Sequence, residues 1–355
     1  MLIHRCKQIL LNNWLLKITS NLNVIVKIFL CFSLLLILLL KLFSSVNLVS
    51  STVCSLPEYP NKKNTPGPAI FQYLEDQQVL AACGASDELT VGLTCYQLKA
   101  GSPSDWQRMP SSPLNPHCPW PYRTRSHYLN DLGWFVIGQD GSCSYSNADI
   151  STDLFTLDQQ WIPTSTVSPY KPGFPGGMCS VAINSTHIIF TGGYNGNWLS
   201  STLMLDLTDY SWTARKDMPG PRYEHGCTLT ENGGGILIAG GYVGHADINT
   251  AFIYDILNDT WHKVADLPAD MATYNPTMFL FNNSPILLEY GSSRIWQLNS
   301  TDGSWQLLAA TMGAEMDGRF DTFSLVPTNM FKCSWFDWRM IFVEKYIILK
   351  YVILY

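Results

Sequence analysis

From about residue 67 onward, apolar and polar positions alternate in short runs instead of at helical spacing. That pattern predicts many brief strands joined by turns. The clearest passage spans residues 234–261. An apolar run, ILIA, ends in Gly240-Gly241; after a polar turn comes a second run, AFIYDI, carrying Tyr254, then an Asn-Asp turn and Trp261. The stretch before it repeats the order, with IIFT ending in Gly192-Gly193, then STLMLDL and Trp212. Looser copies lie upstream (GWFVIGQDG, TDLFTL, Trp161; VLAACGA, LTCYQL, Trp106) and downstream (ILLEYG, RIWQL, Trp305). Each copy also has a leading strand, such as MCSVAI, CTLTE or TMFLF. Four short strands in a unit of about 50 residues predict one blade of a β-propeller.

Each marker residue has a physical reason. Glycines closing the second strand let backbone approach where a Cβ would clash or where φ must be positive. The third-strand apolar residue and the fourth-strand tryptophan bury large areas between blades. This order of apolar strand, Gly-Gly, spaced aromatic and Trp resembles the kelch family over about residues 66–327. Met218-Pro-Gly-Pro-Arg-Tyr-Glu-His225 is similar to that family's connecting loop, and Arg125-Ser126-His127 is a fainter echo of it. The first two units carry one glycine instead of two, the fifth has Glu289-Tyr290-Gly291, and Met204 stands where tyrosine is usual. The expectation is an all-β, kelch-type propeller of about five recognisable blades plus an incomplete sixth, occupying residues 67–327.

The sixth unit opens with GRFDTFSLVP (residues 318–327) and then loses the pattern. Residues 328–355 are rich in Phe, Ile, Tyr and Lys, with no Gly-Gly and no spaced Trp. An open ring would leave strand edges unpaired. The tail therefore supplies degenerate closing strands, or the chain associates through its edge, or the reading frame is truncated or misread; the abrupt change in composition favours the last.

At the other end, residues 28–43 begin with a run of 13 apolar or small residues, IFLCFSLLLILLL, which predicts a hydrophobic helix. Such a helix rises about 20 Å, nearer a signal-peptide core than a full span. Arg5, Lys7, Lys17 and Lys27 precede it, so residues 1–27 stay cytoplasmic and everything after a linker at 44–66 faces outward. The segment is a signal anchor or a cleaved signal, and the protein is either a type II membrane protein or secreted.

Ten cysteines suit that topology, eight of them after the export point. Eight cysteines allow 105 pairings, of which Cys83 with Cys95, on neighbouring predicted strands, is the one pairing expected. Sequons at Asn184, Asn258, Asn282 and Asn299 fall in predicted turns and are candidates for glycosylation. Charged residues make up 14% of the chain and the net charge is −6, with no cluster of Lys and Arg, which argues against nucleic acid as a partner.

Candidate chemistry lies in the turns between second and third strands and in the links between blades. Those segments hold Tyr194, Trp198, Tyr242 and His245, together with Arg125, Arg222 and Tyr274. Tyr, Trp and Arg are enriched in interaction hot spots, although Arg222 and His225 also suit a role tying one blade to the next. There is no H-E-x-x-H, no G-x-S-x-G and no Walker loop. The resemblance implies a non-catalytic domain that binds a protein partner, with no cofactor and no bound metal. The alternative is a glycan-binding propeller, or a glycan-processing one of the copper radical oxidase kind. In the glycan reading Trp198 and Tyr242 would stack on sugar rings.

Overall fold

A computed structural model describes residues 53–54, 68–85, 93–99, 105–110, 124–140, 149–271, 274–281, 283–289, 294–299, 302–308, 324–327, 335–336, 340–343 and 346–349. The hydrophobic segment 28–43 lies outside them, as does Asn282. Among the described residues no helix is long and apolar enough to cross a membrane.

Five four-stranded antiparallel sheets follow one another in chain order. Blade 1 comprises Pro68–Leu74, Val79–Ala85, Leu93–Lys99 and Gln107–Arg108. Blade 2 comprises Thr124–Leu129, Gly133–Asp140, Asp149–Thr156 and Trp161–Thr164. Blade 3 runs through Cys179–Ala182, His187–Thr191, Thr202–Asp206 and Ser211–Arg215. Blade 4 runs through Gly226–Leu229, Gly235–Ala239, Ala251–Asp255 and Thr260–Lys263. Blade 5 runs through Thr277–Phe281, Ser284–Leu288, Ile295–Leu298 and Trp305–Leu308. The chain is an all-β propeller.

The tail adds a three-stranded sheet in which Ser324–Pro327 pairs with Tyr346–Leu349, which in turn pairs with Met340–Val343. The first strands of successive blades stand side by side, and Ser324–Pro327 lies beside the first strand of blade 1. The strand that opened the incomplete sixth unit is therefore next to the start of the ring.

Burial explains the sequence pattern. Every residue of Gly235–Ala239 is buried, because a second strand has a blade packed on each face. Hence it reads as an unbroken apolar run. Fourth strands lie at the rim and expose most positions except the tryptophan, as in Thr260–Lys263. The apolar clusters lie at the seams between blades: Ile70 with Trp134 and Phe155, Phe135 with Phe174 and Phe190, Ile189 with Ile238 and Tyr254, and Leu237 with Leu287 and Trp296.

The tryptophans do more than fill these seams, since each indole N–H reaches back to the segment leaving the previous blade. Trp161 donates to the Pro110 carbonyl (2.8 Å), Trp212 to Thr166 Oγ1 (2.7 Å), Trp261 to the Lys216 carbonyl (2.8 Å) and Trp305 to the Ala265 carbonyl (3.0 Å). The third-strand partners opposite them are Phe155, Leu205, Tyr254 and Leu298. This register corrects one reading from the sequence: Leu205, not Met204, holds the place of Tyr254, because a strand shifted by one residue turns the opposite face to the seam.

The Gly-Gly pairs behave as expected. Gly192 and Gly193 have φ of 62° and 99°, and a Cβ would lie 2.5 Å from the Arg222 carbonyl oxygen in the first case and 2.9 Å from Pro175 Cβ in the second. Gly240 and Gly241 repeat the conformation, with φ of 69° and 100°.

Cys83 and Cys95 face each other directly in the register of blade 1 and form the expected disulfide, with an S–S distance of 2.05 Å. A second disulfide, Cys179–Cys227, joins the first strands of blades 3 and 4. Sequence reading missed it because the two cysteines are a full repeat apart.

Candidate functional site

The close approach that the glycines permit decides what stands on the loop-rich end. The residue after each Gly-Gly pair is caught by a neighbouring connector. Tyr194 exchanges backbone hydrogen bonds with Gly176 (2.9 and 3.0 Å), and Tyr242 with Tyr223 (2.9 and 3.1 Å). The connectors are themselves tied in sequence. Glu224 N–H donates to the Gly177 carbonyl (2.7 Å), and Asn275 N–H donates to the Glu224 carbonyl (3.0 Å). Gly177, Glu224 and Asn275 all have positive φ, at 58°, 50° and 48°, so they are equivalent points in successive links. Glutamate and asparagine accept this conformation only at some strain.

Held by these backbone clasps, six side chains from blades 3 and 4 and the link to blade 5 form one continuous row. Trp198 sits at its centre, with ring centroids 4.8 Å from Tyr194, 5.9 Å from Tyr223 and 5.6 Å from Tyr242. Tyr194 and Tyr223 meet edge-on at 6.1 Å. Tyr242 continues the row to Tyr274 (5.7 Å) and to the His245 ring (6.3 Å), whose Nδ1 is 3.2 Å from the Tyr242 hydroxyl. His245 occupies a two-residue turn with Gly244, both at positive φ, between the short strands Tyr242–Val243 and Ala246–Asp247. Gly177 makes room for the cluster: a Cβ there would lie 2.2 Å from Tyr223 Cε2. The four tyrosines and Trp198 are half-buried and His245 is exposed. Tilted and edge-on aromatic pairs each add roughly 0.5–1.5 kcal/mol beyond area burial, so the rings brace one another before any partner arrives.

Five of the seven residues expected on this face are thus brought together: Tyr194, Trp198, Tyr242, His245 and Tyr274. Tyr223 joins them, a connector residue whose link to the row lies in the Gly177 vacancy beneath its ring.

The other two are corrections. Arg222 is 3% exposed and donates from Nη1 to the Gly240 and Thr250 carbonyls, both at 2.8 Å, and from Nη2 to Thr250 Oγ1. Burial pulls its pKa down to about 10, leaving it cationic at neutral pH. Arg125 is 7% exposed and lies within the first strand of blade 2, with Nε and Nη2 both directed at the Met178 carbonyl. A buried guanidinium is retained where backbone acceptors surround it. Both arginines therefore clasp one blade to the next and present nothing to a partner.

The histidines beside them are structural too. His225 bonds Thr191 Oγ1 through Nε2 (2.8 Å), and burial, together with Arg222 and Arg125, holds its pKa well below the usual value. His127 meets Ser180 Oγ (2.8 Å), and burial and Arg125 bring its pKa to about 3. The first strands of all five blades line a central cavity of about 450 Å³ that includes both half-cystines of Cys179–Cys227.

Of the sequons, Asn184 and Asn258 are exposed and Asn299 is half-buried. Asn184 Oδ1 accepts from Thr186 N–H (2.9 Å), and Asn258 Nδ2 donates to Asp255 Oδ2 (2.7 Å).

A comparison with curated proteins gave no match. The Kelch motif matches residues 225–268, which run from His225 through the whole of blade 4. With that motif embedded in five sheets of one design, the last four each carrying a fourth-strand tryptophan anchored to the blade before, the chain is a kelch-repeat β-propeller.

Proposed function

We propose that this propeller is a non-catalytic domain that binds another protein, outside the cytosol, through the loop-rich end of blades 3, 4 and 5. The observation that carries the reading is the aromatic row from Tyr194 to Tyr274. It offers large, pre-ordered and half-exposed rings on a surface that needs little reorganisation, which is the composition of an interaction hot spot. Kelch propellers commonly serve as protein-interaction domains, and fold alone does not choose the partner. The outward location rests on the apolar segment 28–43 behind four cations and on the two disulfides, which suit an oxidising compartment.

Affinity capture with the region after residue 44 tests this reading. A retained protein partner should be lost or weakened at least ten-fold by Tyr194→Ala and by Tyr242→Ala. Retention that is indifferent to both variants would remove the aromatic row from the account. The carbohydrate alternative has less support, because three tyrosine rings pack around Trp198 and leave less of its face for a sugar. A glycan array with wild type and Trp198→Ala separates the two, and stoichiometric copper in the purified protein would overturn the non-catalytic assignment.

A further inference from the structure

We infer that the Cys179–Cys227 disulfide is a redox-sensitive clasp that sets the order of the aromatic row. Its two half-cystines belong to adjacent blades and follow directly on the connectors that hold the row. Gly176 and Gly177, three and two residues before Cys179, pair with Tyr194, carry the Tyr223 ring and accept from Glu224 N–H. Tyr223 and Glu224, four and three residues before Cys227, complete those contacts from the other side. The row crosses the same seam, with Tyr194 and Trp198 on blade 3 and Tyr223 and Tyr242 on the blade 4 side. One covalent bond thus fixes the spacing of the two connectors on which four of the six rings depend.

The two disulfides differ in what they join and in access. Cys83–Cys95 lies within one blade, both residues are fully buried, and the bond joins no two blades to each other. Cys179–Cys227 lies between blades, Cys179 is half-buried, and both sulfur-bearing residues line the central cavity. A small dithiol entering that cavity attacks one sulfur as its thiolate, forming a mixed disulfide and releasing the other cysteine as a thiolate. Its second thiol then displaces the first cysteine and closes the reductant to its own disulfide. Two electrons pass from the dithiol to the cystine, and its two protons end on Cys179 and Cys227. Freed of the bond, the seam keeps its backbone clasps but loses their covalent limit, and the row loosens. The bearing of this change on binding rests on the proposed function, whereas the clasp itself does not.

The test needs no partner. The oxidised protein is treated briefly with dithiothreitol, alkylated and mapped by mass spectrometry, and amide hydrogen exchange is followed on both forms. Cys179 and Cys227 should be alkylated before Cys83 and Cys95. The amides of Tyr194, Tyr223, Glu224 and Tyr242 should then exchange at least about five-fold faster, the low end of usual coupling between sites. Strand Gly133–Asp140 should keep its protection. A Cys179→Ser/Cys227→Ser protein should match the reduced form under all conditions, and Cys83→Ser/Cys95→Ser should respond to reductant like wild type. Earlier alkylation of Cys83 and Cys95, unchanged exchange at the four amides, or loss of protection throughout all blades would each overturn the clasp.

Discussion

Replacing Arg222 by alanine separates a clasp from a contact residue, because the two roles fail in different assays. The guanidinium makes three hydrogen bonds to blade 4, to the Gly240 and Thr250 carbonyls and to Thr250 Oγ1, and stands 5.3 Å from the Phe252 ring. A hydrogen bond to a charged group contributes about 1.5–3 kcal/mol. Their sum is an overestimate, since water reaches the half-buried Thr250 once the side chain is gone; the Gly240 carbonyl stays buried without its partner. Loss of about 3–5 kcal/mol follows, the range for removing one side of a buried charged contact. With a urea slope of about 3 kcal/mol per molar, the midpoint should fall by roughly 1 M or more. Arg222→Lys keeps the charge but not the forked geometry that reaches both carbonyls, so it should recover only part of that loss. A midpoint within about 0.3 M of wild type in Arg222→Ala, together with lost partner binding, would rule out the clasp and return Arg222 to the interaction face.

Three further outcomes follow from the same geometry. Tyr254→Phe removes the hydroxyl that donates to Asp259 Oδ1 (2.6 Å) and accepts from Arg215 Nε (3.2 Å), so denaturation should show a loss of about 1–2 kcal/mol. His225 is held neutral when folded but takes a proton near pH 6.5 when unfolded, so the unfolded state binds more protons as pH falls through that value. Stability should therefore drop by about 2 kcal/mol between pH 7 and pH 5 on account of this residue, and His225→Gln should flatten the slope. Gly193→Ala places a Cβ 2.9 Å from Pro175 Cβ at φ of 99°, and calorimetry should show a lower Tm, corresponding to roughly 2 kcal/mol or more.

What sequence could show was whatever burial writes periodically. Second strands covered on both faces read as unbroken apolar runs, and the four tryptophans at 161, 212, 261 and 305 recur because each anchors its blade to the one before. Gly192, Gly193, Gly240 and Gly241 were legible because their φ values exclude most other residues. Tyr194, Trp198, Tyr242 and Tyr274 were found because the repeat assigns their turns to one end of the ring. Arg125 misled, since arginine in a polar strand carries no mark of burial and only the carbonyls around it reveal that, whereas the tying role that its place in the repeat suggested for Arg222 is the one its carbonyl partners show. The links through Gly177, Glu224 and Asn275 were invisible because they run through backbone atoms common to all residues. Cys179–Cys227 stayed hidden because pairing needs the relative placement of two blades. Of the last sheet only the opening strand was legible, because its other strands pair out of chain order and lack both glycine pair and tryptophan.

Partner binding across the aromatic row is best checked by an exchange footprint of the complex. Hydrogen exchange of the propeller is compared alone and saturated with a captured protein. Protection is predicted at residues 194–199 and 242–247 and around Tyr274, with the outer strands Ser211–Arg215 and Thr260–Lys263 unchanged. Protection confined to those outer strands, with the aromatic row exchanging as in the free protein, would contradict it.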